Sequence, residues 1–498
     1  MSDIKKPSAE DLLPTEEGDT GHERRVYTID GYPEEVIAVA FAKCSRSPLP
    51  FDEIAAKADE ASSAEFHEKW VLGYGHGSVA EHGVLHLALE NISNVAVKVI
   101  EDNRLASYTE KSTRYQKLDR SRCVMPESIM KDPQIARPYV EAVDALFSAY
   151  EAVQPPLTEY MKAKHPQTEG QSDRLYAGII KARVCDVARY LLPAATMTNV
   201  GVTMNARTLE WAITKGLSHP VGEVRAIAAE MKEAGRKVTP TLIKYADAND
   251  YMVETTRAMR DVAAKWAEGI EEPTAAEPVR IVDWDRDAEN KIVTALLYEH
   301  LELPYAQIRE RVGEMPKEDK LRIISEALKR RGPHDRPPRA FEHAYYTFDI
   351  LMDYGAFRDV QRHRMATQTN QLVTTRHGYE MPQEIAEVGM TGIFKAAMEK
   401  SDAVFRLIAE KSPDDAQYAV AMAFRKRVLV TWNLRELFHF IPLRSGKKGH
   451  PSYRKIAQDC WKAVDAIHPA FSKAIPVDMS ETSVSTVGTK VKSEHALE

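Results

Sequence analysis

Two series of short motifs occur in the same order in the two halves of this chain, and this repetition constrains its fold more than any other feature. Each series opens on a Glu-His pair, which begins at Glu81 in the first half and at Glu342 in the second. An arginine then follows the histidine by 22 residues at Arg104 and by 21 residues at Arg364. Ordered self-similarity of this kind indicates a tandem duplication of one domain.

A second pair of motifs lies further along each half. The stretch 205-NARTLEW-211 parallels 433-NLRELFHF-440, and each is followed by a His-Pro dipeptide and then by an arginine. A stretch rich in Pro, Glu and Ala between the two series suits a linker. We therefore predict an N-terminal tail at 1–24, a first domain at 25–270, a linker at 271–281, a second domain at 282–475 and a polar tail at 476–498.

The residues after each Glu-His pair predict the same local structure twice. Alternating apolar and polar side chains predict a half-buried strand from Val84 to Leu89 and another from Tyr346 to Ile350. Apolar residues at helical spacing follow both strands: Ile92, Val95 and Val99 in the first half, and Tyr354, Phe357 and Val360 in the second. We expect Ser93 and Asp353 to cap the two helices.

The composition limits the classes of function. With 498 residues and a net charge of -7, the chain is long enough for two or three domains and too acidic for a general nucleic-acid binder. It has no run of about 18 apolar residues that would span a membrane, and its polar, acidic start lacks the features of an export signal. The widely spaced cysteines signal neither a zinc site nor a disulfide framework, so we expect a cytoplasmic protein.

A dense group of cations, Arg362-His363-Arg364, stands out in this acidic chain. Its forked guanidinium donors suit a phosphate or the carbonyl edge of a heterocycle, and the histidine adds a titratable donor. A solvated basic helix end is the simpler interpretation of such a triplet. The uncharged polar run 365-MATQTNQ-371, where a core helix would place apolar residues, favours a binding site.

The corresponding stretch of the first half, 101-EDNRLASYTEKSTRY-115, has lost the histidine and one arginine. It carries Ser107, Glu110, Ser112 and Arg114 instead. Hydroxyls and an arginine at such spacing can bind a phosphate or a ribose. The same residues also form ordinary caps and surface ion pairs, so both interpretations stay open.

Two further segments of the first half carry candidate donors. The glycine-punctuated turn 73-GYGHGSVAEH-82 lets the backbone approach a ligand and supplies His76 and Ser78, although such a turn is commonly structural. A predicted helix further along offers Arg183 and Arg189 to an anion, and the alternative is that both are surface charges.

The repeated motifs are rich in hydrogen-bond donors and poor in nucleophiles. The chain has no GxSxG or HExxH sequence and no spacing typical of metal ligands, and no cysteine falls within the repeated motifs. Chemistry in which cations surround an anionic ligand while a cofactor performs the difficult step fits this inventory best.

Taken in order, the motifs of both halves resemble the flavin-dependent thymidylate synthases. The signature of that family is an Arg-His-Arg triplet before a Ser-containing polar run, with a His-rich loop and Glu-His upstream and Asn-Ala-Arg-Ser-Leu and an arginine near Ser-His downstream. The resemblance covers most of the chain between residues 25 and 475. It implies an α+β fold with two tandem copies of the family's sheet-and-helix domain.

The resemblance implies ligand contacts on matching residues of the first half. The flavin contacts are His76, Ser78, Glu81, Ser107, Glu110, Asn205, Arg207 and His219, and the nucleotide contacts are Ser112, Arg114 and Arg189. This half departs from the family at Asp102-Asn103, where Arg-His is expected. It departs again near Lys215, which is also assigned to the substrate, where the family has the arginine that polarises the uracil.

The second half shows the converse pattern. It keeps the flavin contacts Arg362, His363, Arg364, Asn433 and Arg435. It also keeps Arg444 at the position of the uracil-polarising arginine, and we assign Arg444 and Arg114 to catalysis. It lacks the histidine of the flavin loop and has Asn370 and Leu372 where Glu and Ser are expected.

The family implies methylation of dUMP to dTMP, with methylenetetrahydrofolate as carbon source and FAD, reduced by NADPH, as hydride donor. Its members are homotetramers with shared sites, so a tandem chain implies a homodimer that acts as a pseudo-tetramer. In it, the flavin loop of the first half would meet the cations of the second. We expect no metal, nucleic acid or membrane partner. Two alternatives remain: a flavin- or nucleotide-binding relative that modifies another pyrimidine, and a degenerate non-catalytic scaffold or sensor.

Overall fold

The computed structural model of this protein describes residues 24–73, 77–270 and 277–481. Helices and strands are both abundant, which confirms the predicted α+β class. None of the helices in these ranges combines the length and the apolar character that a membrane crossing requires. All four cysteines are free thiols.

The helices of the first half are α1 (Glu34–Cys44), α2 (Phe51–Ala56), α3 (Glu60–Phe66), α4 (Asn94–Ile100), α5 (Glu127–Met130), α6 (Pro133–Lys164), α7 (Asp173–Ala188), α8 (Ala206–Leu217), α9 (Gly222–Arg236) and α10 (Asp250–Trp266). Those of the second half are α11 (Ala288–Tyr298), α12 (Tyr305–Glu314), α13 (Lys317–Leu328), α14 (Tyr354–Val360), α15 (Gln383–Glu387), α16 (Thr391–Ala409), α17 (Pro413–Ala416), α18 (Leu434–Ser445), α19 (Pro451–Ile467) and α20 (Pro469–Ser472). The strands are β1 (Val84–Ser93), β2 (Ala106–Glu110), β3 (Met197–Asn205), β4 (Val279–Trp284), β5 (Tyr345–Asp353), β6 (Thr367–Asn370) and β7 (Arg425–Asn433).

The two halves form sheets of matching topology. The first sheet has the order β1-β3-β2, and the second has the order β4-β5-β7-β6. Strands β5, β7 and β6 therefore repeat β1, β3 and β2 in both chain order and neighbours, and β4 is an addition at the edge beside β5. The repeat confirms that two copies of one sheet-and-helix arrangement follow each other along the chain.

The predicted strands and caps occur where local sequence placed them. The side chain of Ser93 accepts a hydrogen bond from the backbone N of Ala96 at the start of α4, and Asp353 accepts one from Ala356 at the start of α14. One detail of the prediction is wrong: Ile92 lies in β1 rather than in the helix. The strand continues to the capping residue, because its last side chains are buried against the core.

The described residues fall into two compact units. Unit 1 consists of the residues up to Val84, together with Asn205–Arg207 and Gly235–Lys244, and unit 2 consists of Leu85–Met204, Thr208–Ala234 and the residues from Tyr245 onward. In unit 1, the Glu35 carboxylate accepts hydrogen bonds from the backbone N atoms of Thr241 at 2.7 Å and Leu242 at 3.1 Å. These bonds attach a segment distant in sequence to α1.

The predicted domain boundaries stay predictions. Residues 1–23 and 482–498 of the predicted tails and 271–276 of the predicted linker lie outside the described residues. Strand β4 begins at Val279, within the range assigned to the linker, and pairs with β5.

Within unit 2 the two halves are joined by backbone hydrogen bonds. The N of Ala194 donates to the carbonyl of Val420 at 2.8 Å, and the N of Met422 donates to that of Leu192 at 2.9 Å. These residues follow two matching 3₁₀ turns, Arg189–Leu191 and Gln417–Ala419. The turns therefore give a reference for comparing equivalent positions in the two halves.

A buried hydrogen bond between the halves gives a test of this arrangement. The hydroxyl of Tyr354, which is fully buried, donates to the carbonyl of Asn94 at 2.8 Å. We expect Tyr354→Phe to lower the free energy of unfolding by about 1 kcal/mol, because it removes a buried hydrogen bond between the halves. The loss should appear as a lower urea midpoint, whereas the same change at the exposed Tyr345 should leave the midpoint unaltered. Equal midpoints for the two variants would contradict the prediction.

Candidate functional site

A cluster of arginines from both halves lies in unit 2 around the carboxylate of Asp359. Arg444 approaches its Oδ1 to 3.4 Å and Arg362 to 3.6 Å. Burial raises the pKa of Asp359, but Arg362, Arg444, Arg189 and Arg358 together hold the pKa below its usual value. Asp359 therefore stays ionised and fixes the guanidiniums that surround it.

The buried carboxylate of Glu110 holds the second half against the first. Its side chain has no solvent exposure, and it forms ion pairs with Arg358, with Arg362 at 3.1 Å and with Lys98 at 3.6 Å. Burial raises its pKa, but the three cations outweigh burial and lower the pKa overall. Glu110, predicted as a flavin contact, is thus occupied by cations, and Arg362 is anchored by an ion pair although 43% of its side chain is exposed.

Arg114 is oriented by a bidentate ion pair. Its Nε and Nη2 donate to the carboxylate of Asp186 at 2.6 and 2.9 Å, and its Nη1 donates to the hydroxyl of Tyr453 at 3.5 Å. The backbone N of Arg114 donates to the side chain of Ser112 at 3.1 Å. Burial lowers the pKa of Arg114, but Asp186 outweighs it and raises the pKa overall. The arginine therefore remains charged in a largely buried position.

Arg189 is a buried cation with two nitrogens that have no hydrogen-bond partner among the described residues. Only 3% of the residue is exposed, and its Nε and Nη2 have no hydrogen-bond partner among the described residues. A Cβ placed on Gly355 would lie 3.6 Å from Nη2, so the glycine leaves room beside the guanidinium. The surface-charge interpretation is wrong for Arg189 and for Arg183, which is also buried. Unpaired buried donors are costly, and an anionic ligand would satisfy them.

The position of Arg444 is set by His363. The Nε of Arg444 donates to Nε2 of His363 at 2.9 Å, so the ring proton resides on Nδ1, 3.2 Å from Oε1 of Glu436. Burial and the adjacent Arg444 hold the pKa of His363 well below its usual value. The neutral ring therefore links a carboxyl group to the arginine.

His363, Glu436 and His439 also form a group whose potential metal-binding atoms lie within 4.8 Å of one another. The bond from Arg444 argues against a metal here. A histidine that binds a metal through Nδ1 normally donates its other N–H to an acceptor, and a guanidinium cannot accept.

The remaining predicted residues of the second half also form protein contacts. Arg364 donates to the carbonyl of Ala106 and lies 4.8 Å from the Tyr108 ring centroid. The side chain of Asn433 caps α18. Arg435 pairs with Glu342 at 3.0 Å, and the first half repeats this pair with Arg207 and Glu81 at 2.5 Å. The repeated Glu-His and Asn-x-Arg motifs thus meet in space through an ion pair.

Unit 1 contains the Glu81–Arg207 ion pair and a cavity of about 600 Å³ whose lining includes Ser78. Its lining combines the aromatic rings of Phe41, Phe66, Trp70 and His82 with the cations Lys43, Arg46 and Lys57. The rings of Phe41 and His82 stack with centroids 4.8 Å apart. Aromatic walls with cations suit a planar ring that carries negative charge. His76 lies outside the described residues.

The other predicted residues of the first half have the following positions and contacts. Lys215 lies 3.7 Å from Asp102, so a lysine next to the position of Arg444 pairs with the residue at the position of Arg362 in the first half. Ser107 lies on β2 opposite Thr203. Asn205 is the last residue of β3. The Nδ1 of His219 accepts from the backbone N of Val221 at 3.2 Å, and burial lowers the pKa of His219 to about 4.

Sequence reasoning missed three residues that organise the cluster: Asp186, Asp359 and Tyr453. Asp186 and Asp359 each precede a predicted arginine, Arg189 or Arg362, by three positions. That spacing places residues on one face of a helix and is a signal that could have found both. Nothing in the local sequence marks Tyr453, because its partner Arg114 is distant in the chain.

Known proteins share this arrangement of sequence. The pattern of the thymidylate synthase complementing protein family matches residues 26–241 and 280–470. The UPF0159 protein of Chlamydia muridarum is 33% identical over 493 residues, which cover 92% of this chain and 93% of that protein. The flavin-dependent thymidylate synthase of Clostridium tetani is 32% identical over 219 residues, which cover 43% of this chain and 82% of that enzyme.

A solved structure of flavin-dependent thymidylate synthase from Helicobacter pylori, complexed with FAD and dUMP, also matches. It is 18% identical, covers 40% of this chain and 100% of that chain, and has a TM-score of 0.29. The family pattern, which covers most of the chain and occurs in both halves, confirms the resemblance drawn from the motifs. The chain therefore belongs to the thymidylate synthase complementing protein family.

Proposed function

We propose that this protein is a flavin-dependent thymidylate synthase that methylates dUMP to dTMP. The observation that carries the proposal is the buried guanidinium of Arg189, whose Nε and Nη2 have no partner among the described residues. Arg189 lowers the pKa of Asp359, as Arg362 and Arg444 do. The unpaired nitrogens of Arg189 therefore belong to the arginine cluster. A nucleotide phosphate has the charge and the acceptors that such a cluster requires.

In the proposed site, the arginines divide the work of holding dUMP. Arg189 and Arg114, with Ser112, would bind the nucleotide, and Arg444 would polarise a carbonyl of the uracil ring. The bonds from His363 and Asp359 fix the direction of the Arg444 guanidinium before a ligand arrives. Donors oriented in advance stabilise developing negative charge without reorganisation, and each is typically worth about 3–4 kcal/mol in an oxyanion site.

The flavin contacts that the family implies occur in both halves. In unit 1, the aromatic and cationic cavity lined by Ser78 fits a planar ring with phosphates, and Glu81 and Arg207, which pair with each other, are further proposed contacts. The other proposed flavin contacts are His76, Ser107, Asn205, His219, Arg362, His363, Arg364, Asn433 and Arg435. Bound FAD, reduced by NADPH, supplies the hydride, and methylenetetrahydrofolate is the proposed source of carbon.

The positions equivalent to the cluster support a single nucleotide site in each chain. Where Arg444 and Arg362 stand in the second half, the first half has Gly216 and Asp102, and Asp102 pairs with the neighbouring Lys215. At the position of Arg189 the second half has Gln417, whose side chain bonds to backbone atoms of Val373 and Asp414. Lys215 therefore has no ligand role in this proposal. The complementary losses also agree with a homodimer that acts as a pseudo-tetramer.

Modification of a different pyrimidine nucleotide is the second candidate. It is favoured by the occupied Glu110, whose carboxylate is saturated by cations and so cannot contact a ligand in this arrangement. Reoxidation of the reduced flavin with dUMP, UMP and dCMP in parallel separates the two candidates. Reaction with another nucleotide in place of dUMP would favour the second.

Nucleotide binding should depend on Arg189. We expect Arg189→Met to weaken dUMP binding by roughly 10- to 100-fold, because it removes charge-assisted hydrogen bonds to the ligand. Isothermal calorimetry measures the affinity. The control is Arg137→Met, which changes an arginine whose side chain is 87% exposed. Equal affinity in the two variants would remove Arg189 from the site.

The stoichiometry of binding tests the asymmetry between the halves. We expect one dUMP for each chain, because the first half has Gly216 at the position of Arg444 and has Asp102, paired with Lys215, at the position of Arg362. Calorimetric titration of protein of known active concentration measures this number. Two equal sites for each chain would show that the internal pairing does not abolish binding.

Growth without thymidine tests the reaction itself. We expect the chain to restore growth of a thymidine-requiring bacterial strain and to purify with the absorbance of bound flavin or to take up added FAD. Arg444→Ala should abolish growth, since no other residue would polarise the uracil, while Arg137→Ala should not. Failure of the well-expressed wild-type protein, together with a lack of FAD uptake, would refute the proposed function.

A further inference from the structure

We propose that Tyr453 is a positioning residue that joins the two arginines assigned to catalysis; the inference rests on the proposed function. The hydroxyl of Tyr453 accepts from Nη1 of Arg114 at 3.5 Å. The ring of Tyr453 lies under Arg444, whose Cζ is 5.4 Å from the ring centroid. One buried side chain therefore contacts an arginine from each half.

The contact completes the restraint on Arg114. Asp186 takes Nε and Nη2, and the Tyr453 hydroxyl takes one hydrogen of Nη1. A guanidinium has five N–H donors in one plane, so three are committed and two remain for a ligand. Without the hydroxyl, only Nε and Nη2 of Arg114 are bound, by Asp186, and Nη1 has no hydrogen bond that fixes its direction.

The contact with Arg444 is made by the aromatic ring of Tyr453, whereas the contact with Arg114 is made by the hydroxyl. A cation over an aromatic ring is attracted by the ring's electron density, most strongly when water is excluded. Only 5% of Tyr453 is exposed. Its hydroxyl and its ring therefore act on different arginines, and substitutions can separate the two effects.

The start of α19 is built to hold this ring. His450 caps the helix by accepting from the N of Ser452 at 3.3 Å, and its Nε2 donates to the carbonyl of Asp186 at 3.2 Å. The helix carrying Tyr453 is thus attached to the helix carrying the carboxylate that binds Arg114.

A glycine makes room for the ring. A Cβ on Gly449 would lie 2.6 Å from Cε2 of Tyr453 and 2.9 Å from Cγ of Arg454, distances that a real side chain cannot adopt. The equivalent position in the first half, three residues after His219, is Gly222, which has no side chain. The device therefore occurs only where Arg114 and Arg444 meet.

The test compares Tyr453→Phe, which keeps the ring and removes the hydroxyl, with Tyr453→Leu, which removes both. We expect the Phe variant to raise the KM and Kd for dUMP roughly tenfold, with flavin content and melting temperature unchanged. The Leu variant should also lower kcat, because Arg444 loses its support. Gly449→Ala should resemble the Leu variant, and Tyr345→Phe at an exposed position is the control.

A double variant separates positioning from a general structural role. If Tyr453 acts through Arg114, then Tyr453→Phe should cause no further loss of dUMP affinity in an Arg114→Lys background. Independent, additive losses would overturn the proposal, as would a Phe variant that binds dUMP like wild type or loses flavin and melting temperature together. Wild-type protein that binds FAD but no pyrimidine nucleotide would instead refute the proposed function, which distinguishes the two failures.

Discussion

The ion pairs of the Glu110 carboxylate are the interaction on which the rest of the site depends. A carboxylate without solvent exposure stays ionised only if cations and hydrogen bonds replace its water. Here they come from Lys98 of the same half and from Arg358 and Arg362 of the other half. The end of α14 is therefore fixed against β2, and Asp359 on α14 brings Arg444 into the same region.

The two halves have diverged so that one set of equivalent positions carries paired or neutral side chains, whereas the set around Arg189 keeps unpaired positive charge. In the first half, Asp102 stands at the position of Arg362 and pairs with Lys215, and Gly216 stands at the position of Arg444. In the second half, Gln417 stands at the position of Arg189, and its amide atoms bond to the backbone. In both cases the replacing side chains find charge or hydrogen-bond partners within the protein. The arginine cluster instead retains Arg189 with unpaired nitrogens. Unpaired buried donors lower the stability of the fold, and a purely structural role would not explain why they are kept.

The sequence predicted the features that depend on neighbouring residues. The caps of Ser93 and Asp353 and the strands before them follow from local hydrogen bonding and alternation, and they occur as expected. The sequence showed that the repeated motifs occur in the same order in both halves, but it did not show that they meet in space. Burial could not be predicted in the same way, because Arg358 and Glu110 are separated by 248 residues and the Arg114–Tyr453 contact spans 339. A helix that carries arginines appears exposed until the opposite half of the duplication covers it.

Burial of cations between the two halves explains how an acidic chain would bind the anionic ligand proposed for it. The net charge of -7 is a property of the whole surface, whereas the potential at the site depends on cations that stay charged when water is removed. Three buried carboxylates keep these arginines charged: Asp186, Glu110 and Asp359. Each carboxylate binds some of the N–H donors of an arginine and leaves its other donors available. The carboxylates thus orient the cations without saturating them. Arg189, which has no such hydrogen-bonded carboxylate at Nε or Nη2, is the point at which an anion would bring the greatest gain.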